Sequence, residues 1–367
     1  MAKKQNTKQI KTNKINPDER QVEYWRGRAE REFLAGEKEA LEVAKQLKQN
    51  YRTTMKEIEK EINSFYGKYA SKEGITLEEA KQILDRIEKK SFKEYINDMI
   101  KMGKKENFTK PQINEFKKIY TKTRITRLEE LQTEIKYHLH LLTNRNQKQI
   151  EQLLQNTYEN QYYQSVFDVE QFRGYSSSFS GLDDNTINKA INTKWLGSNY
   201  TISLYKNEAN LLTILNQEIP RGLTLGYNPR KLASQVVNKR LDNNYNNVVR
   251  LIRTEYNKVQ NDASIDGYKA AGIKKYQILA TLDSRTSDIC REMNGEIYDV
   301  SDIEVGVNFP PFHPNCRTTT IAYFPPDEFD MMSDEELENY LQNLDTLEWL
   351  KGLVKHRNGK MEYKGGE

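Results

Sequence analysis

The sequence predicts a mainly α protein, with an elongated N-terminal helical region followed by a C-terminal α+β domain that holds a small sheet. Three observations carry this. Apolar and small residues recur at steps of three and four over long stretches free of proline and glycine, which is the spacing of a helix face. The apolar fraction is 36%, below the ~45–50% (glycine included) of ordinary domains, which suits thin helical packing better than one large globule. Turn residues and both cysteines gather instead between Thr281 and Thr320, just after the one weakly alternating segment, Lys274 to Leu282.

In chain order, residues 1–15 read as a disordered basic tail. Asn16, Pro17 and Glu19 form a helix start, and the stripe that follows runs from Leu34 through Leu41, Ala44, Tyr51, Met55, Ile58, Ile62, Phe65 and Tyr69 to a stop at Ser71–Gly74. Thr76 with Glu79, and Ser91 with Glu94, carry capping-box spacing and open two shorter helices. The longest pattern starts after Pro111, from Ile113 toward Val166, with a bend expected where the stripe lapses at Asn144–Gln147. Long helices thus occupy 16–173, and a Gly/Ser-rich linker occupies 174–184. Beyond it, a helix from Ile202 is expected to end at Pro220. Asn228 and Pro229 start another, Arg230 to Leu241, and a third runs from about Asn246 to Gly267. Lys274 to Leu282 is the best strand, Ser284 to Met293 a helix capped by Asp283, Glu296 to Val300 a short strand, and Val305 to Phe309 a candidate third. The C-terminal domain spans 185–325, and an acidic helix and tail follow over 326–367, with Ser333 and Glu336 at the helix start.

Charge is unevenly distributed. Residues 1–150 hold 34 Lys and Arg against 23 Asp and Glu, whereas residues 301–367 hold 6 against 13, so a basic arm is joined to an acidic tail and a polyanionic partner is indicated for the arm. Double-stranded DNA is the natural candidate, with Lys104, Lys105, Lys117, Lys118, Lys122, Arg124 and Arg127 as contacts. Two cysteines make no disulfide framework, the basic N-terminus has no apolar run behind it, and no stretch approaches a membrane span. These features argue against secreted and membrane classes and for assembly in a cytoplasm.

Within Thr281–Thr320, Cys290, His313 and Cys316 are candidate zinc ligands, because His313 and Cys316 can enter from one turn; Asp283 or a water would be the fourth. The simpler reading is a braced loop, with buried thiols and a hydrogen-bonded imidazole; a cysteine nucleophile activated by His313 is a third. His138 and His140 are two apart and do not make a chelating pair on a helix.

The residues Asp283-Ser284-Arg285-Thr286-Ser287, Cys290, Asn294-Gly295, Gly306-Val307-Asn308 and Pro310-Pro311-Phe312-His313-Pro314-Asn315-Cys316-Arg317 resemble the signature of the Mu F-like head morphogenesis domain. This domain occurs in minor head proteins of tailed phages infecting Gram-positive bacteria. Trp195, the Arg221–Gly226 turn and Arg253-Thr254-Glu255 extend the resemblance to roughly residues 190–325. It implies a low-copy structural protein inside the head, associated with the portal and with packaged DNA and acting in head assembly and DNA ejection. Scaffolding or major capsid protein is a further possible partner. It implies no catalytic residues and no cofactor beyond a possible zinc. Some members carry cysteine where this chain has Ser287 and Thr318, so their fuller ligand set does not transfer. A metal-dependent hydrolase or nuclease centred on the Cys/His loop, and a simple non-specific DNA-binding protein, are the alternatives.

Overall fold

A helix of 53 residues, about fifteen turns at 3.6 residues per turn, cannot bury its apolar stripe alone, so the long helices lie along one another. The computed structural model describes residues 17–72, 74–173, 181–195 and 197–325, and the backbone of 354–357 and 360–363. The expected N-terminal tail, the Asn16 cap, the Leu34 side chain, residues 174–180 of the linker and the acidic helix with Ser333 and Glu336 lie outside the described residues.

The helices are α1 (Pro17–Tyr69), α2 (Leu77–Ala80), α3 (Arg86–Lys105), α4 (Lys110–Thr121), α5 (Arg127–Arg173), α6 (Asp184–Asn192), α7 (Tyr200–Thr224), α8 (Pro229–Lys231), α9 (Lys239–Ala270) and α10 (Asp288–Met293). A π-helical turn, Leu232–Asn238, joins α8 to α9. Strands β1 (Lys275–Leu279), β2 (Ile297–Asp299) and β3 (Thr319–Tyr323) form an antiparallel sheet in the order β2-β1-β3. A separate hairpin pairs β4 (Val354–Arg357) with β5 (Lys360–Tyr363). The protein is therefore mainly helical with a small three-stranded sheet in its C-terminal part. Among the described residues, no helix is long and apolar enough to cross a membrane.

Helices α1, α5 and α9 share three successive cores. At one end Tyr51, Ile58, Ile62 and Phe65 of α1 meet Leu131, Ile135 and Leu139 of α5, together with Leu215 of α7 and Val236 of the π turn. In the middle, Leu47 meets Leu154, Tyr158 and Ile252. At the other end Tyr24 and Trp25 of α1 and Phe172 of α5 pack with Tyr268 of α9 and with Tyr276, Ile278 and Ile321 of the sheet. The α3–α4 hairpin has its own cluster, built from Phe92, Ile96, Met99, Ile113 and Phe116 against Tyr137.

Several expected boundaries move, each for a local reason. Helix α3 starts at Asp85, not Ser91: Asp85 accepts from the amides of Ile87 and Glu88, and Leu84 is held extended by its bond to the Ile125 carbonyl. The long pattern breaks at 122–126, where Thr126 and Glu129 cap each other, and not at Asn144–Gln147. There the polar residues face polar neighbours: Asn50 donates to Asn146 at 3.0 Å and Tyr205 to Gln147 at 2.9 Å. Pro220 lies inside α7, and the Gln132 amide reaches the freed Asn216 carbonyl at 3.5 Å. The two helices expected over 230–267 are continuous through the π turn. Val305–Phe309 is a single bridge; the third strand is β3, and the hairpin at 354–363 has no counterpart in the sequence reading.

The interior carries a group with a measurable pH signature. Glu134 is buried beside Glu61 and Glu130, and burial first, then those two carboxylates, push its carboxyl up to about 9. Because the folded value lies above the unfolded one, its contribution to stability is fully present below pH ~4.5 and is lost as pH rises through about 9. Glu134→Gln removes that loss, so at pH 8 the variant is expected to melt about 2–4 °C or more above the parent, and the gap should close toward pH 4.5. Thermal melts across this range check it.

Candidate metal centre

Strand β1 delivers the chain to a turn that is held by its own polar groups. The Asp283 carboxylate accepts the Arg285 amide at 2.7 Å, and Thr286 accepts the Asp283 amide and donates to the Thr281 carbonyl. From 34 positions away, the Arg317 guanidinium forks onto both oxygens of Asp283 at 2.7 and 2.6 Å. Arg317 first, then the Arg285 amide, hold the Asp283 carboxyl well below the usual carboxylate range. Arg291 adds a bond to the Asp283 carbonyl at 2.7 Å. Ser287, not Asp283, caps α10, which turns Cys290 inward.

The return path is stitched in the same way. Gly295 has φ +92, which a side chain would oppose, and the adjacent Asn294 accepts the Ala280 amide. Asn308 bridges the Glu304 amide and the Asp302 carbonyl, and Phe309 is fully buried edge-on to Tyr276. After the cis Pro310–Pro311 bond, the His313–Cys316 turn closes with the Cys316 amide on the His313 carbonyl at 3.1 Å. Helix α9 receives this segment: Thr254 accepts the Asn315 amide at 3.0 Å, and Asn257 and Asn261 donate to the Thr318 carbonyl at 2.9 and 3.3 Å.

Cys290, His313 and Cys316 therefore meet. The Cys290 Sγ lies 3.2 Å from His313 Nε2 and 3.8 Å from Cys316 Sγ, and Ser287 Oγ is 2.9 Å from the same imidazole nitrogen. Both cysteines are free thiols, 3% exposed. Cys316 first, then Ser287, Thr318 and His313, favour the Cys290 thiolate and pull its pKa down, while the proton shared with Cys290, together with burial, pushes Cys316 up.

These donors suit zinc. Two sulfurs at ~2.3 Å from a tetrahedral ion are separated by about 3.8 Å, and the observed separation is 3.8 Å. His313 Nδ1 is 2.9 Å from the Pro314 carbonyl, so an Nδ1–H donated there leaves the Nε2 lone pair facing the thiols. Among the described residues these three are the one Cys/His/Asp/Glu group close enough to share an ion. Asp283 is outside it, because Arg317 occupies its carboxylate.

The remaining expected residues are dispersed. Thr254 and Glu255 are buried on α9 and Arg253 is exposed, as their spacing on a helix requires; Arg285 is exposed at the turn. Lys104, Lys105, Lys117, Lys118, Lys122 and Arg124 are exposed on or just after α3 and α4, Lys122 pairing with Glu129. Arg127 departs from that set: it lies over the Tyr69 ring and bonds Gln82 and Glu88, tying α5 to its neighbours instead of facing solvent. His138 and His140 serve separate acids, Glu61 and Glu208. Sequence reasoning missed Asn257 and Asn261; two asparagines four apart within an apolar helix face were the available signal.

Fold and site together define a mainly helical protein whose small sheet carries a latched Cys/His loop. Residues 213–321 match the family model described as Phage Mu protein F like protein. The match contains the whole Cys/His loop and ends in β3, and Trp195 lies outside it. No curated protein and no solved structure matches the chain.

Proposed function

We propose that the chain is a structural minor head protein of a tailed phage of Gram-positive bacteria. In this reading it is assembled in the host cytoplasm, sits at the portal inside the head, and acts in head assembly and DNA packaging or ejection. The match of residues 213–321 to the Mu F-like family carries the proposal. Contact with double-stranded DNA is supported by the α3–α4 hairpin, where residues 86–124 hold twelve Lys or Arg against five Asp or Glu, a balance suited to phosphate. Portal protein is the expected protein partner, with scaffolding or major capsid protein as further contacts.

The Cys/His loop acts as a brace in this account, and Cys290, His313 and Cys316 would hold zinc as a structural ion, with Ser287 or water at the fourth position. Zinc added to the purified chain is expected to bind at one ion per chain, and His313→Ala to weaken it by about a hundredfold or more, since changes merely to outer-shell partners already cost 10–100-fold. Equal affinity of parent and variant by competition with a chelating dye would remove the site. A metal-dependent hydrolase or nuclease would use the same triangle, but the burial of both thiols favours a structural ion over an open catalytic one.

The partner assignment is tested by co-purifying the full chain with portal protein and by DNA retention at low and high salt. Capture of portal together with salt-sensitive DNA binding is expected; failure to bind either would contradict the proposal.

A further inference from the structure

Beside the loop, one charged side chain is buried with half of its hydrogen-bonding capacity unused. Glu255 is 3% exposed; its Oε1 accepts the Trp195 indole N–H at 3.3 Å, and its Oε2 has no partner among the described residues. A lone buried carboxylate oxygen is costly, and burial pushes the Glu255 carboxyl up to about 7 against the opposing pull of Trp195 and Lys258. Glu255 and Trp195 line a cleft of about 380 Å³ bounded also by Lys206, Arg250, Thr254 and Pro314. Lys206 and Arg250 are exposed, and neither pairs with an acid among the described residues. The cleft thus sets a buried acid and an indole against a cationic pair.

We propose that this cleft binds a basic side chain of a partner polypeptide, its guanidinium against Glu255 and Trp195, with a neighbouring acidic residue of the same segment meeting Lys206 and Arg250. A guanidinium is favoured over an ammonium because it can stack on an indole while delivering planar N–H donors to a carboxylate. A bare phosphate would satisfy the two cations but would bring a second anion toward Glu255. The site stands independently of the portal assignment.

L-arginine is the simplest probe, because it carries a guanidinium and a carboxylate. The full chain labelled at indole nitrogen is titrated with L-arginine, agmatine, L-citrulline and inorganic phosphate, the Trp195 resonance being assigned with Trp195→Phe. Saturable movement of that resonance by L-arginine is expected, with weaker binding of agmatine and none of L-citrulline. Glu255→Gln should weaken L-arginine about thirtyfold or more, the cost of removing one partner of a buried charge pair. Lys206→Ala, which leaves Glu255 in place, should weaken L-arginine and leave agmatine unchanged. Equal binding of L-citrulline, movement by phosphate alone, or no effect of Glu255→Gln would overturn the proposal.

Discussion

Replacing Lys104, Lys105, Lys117 and Lys118 together by alanine is expected to lower the affinity of the chain for duplex DNA by about a hundredfold or more at low salt. All four are exposed, and none pairs with an acid among the described residues, so the hairpin core of Phe92, Ile96 and Phe116 should be untouched and the fold retained. The physical cause is counterion release: each phosphate neutralised adds about 0.9 to the slope of log affinity against log salt. The quadruple variant should therefore show a slope shallower by roughly 3–4, with little dependence on DNA sequence. Arg127→Ala is the internal contrast, because that guanidinium is spent on Tyr69, Gln82 and Glu88; it should affect stability and leave the salt slope alone. Fluorescence anisotropy over a salt series reads both. An unchanged slope in the quadruple variant would move the DNA contact elsewhere.

Trp25→Ala is expected to destabilise the protein by about 3–5 kcal/mol, as large-to-small changes of buried aromatics do. Trp25 is 3% exposed and lies 5.8 Å from the Phe172 ring and 6.4 Å from each of Tyr268 and Phe324. Its neighbours on α1 reinforce the joint: Tyr24 donates to the Asp168 carbonyl at 3.1 Å, and Arg28 forms a buried ion pair with the Asp168 carboxylate. The first turns of α1 therefore complete the core beneath the β2-β1-β3 sheet. Damage there should reach the Cys/His loop through Tyr268, whose hydroxyl donates to the Thr320 carbonyl at 3.1 Å. Urea unfolding followed separately by far-ultraviolet circular dichroism and by thiol accessibility at Cys290 should show both probes shifting together. A loss under about 1 kcal/mol, or a shift in only one probe, would show the two ends to be independent.

Much of this architecture was legible because it rests on local rules. The step of Ile58, Ile62 and Phe65 announces a buried face, and the Thr76–Glu79 pair announces a helix start; both stand as expected. The meeting of Cys290, His313 and Cys316 was also legible, since a short turn joins two of them and the turn-rich segment between leaves the third nearby. What failed depended on partners remote in sequence. Asp283 reads as a cap or ligand until Arg317 is seen to fork onto it. Asn146 reads as a helix bend until Asn50 is placed opposite. Pro220 reads as a stop unless a neighbouring helix can approach the carbonyl it frees. Strand β3 begins inside the run Thr318–Thr320, whose threonines carry no apolar alternation to mark a buried face.

The most direct test of the central claim is a cryo-electron microscopy map of the procapsid portal vertex at a resolution that shows helices. The account predicts density inside the shell for the paired long helices α1 and α5, seated against the portal with the α3–α4 hairpin turned toward the DNA path. Procapsids that hold the portal but no such density, in particles that contain the chain, would contradict it.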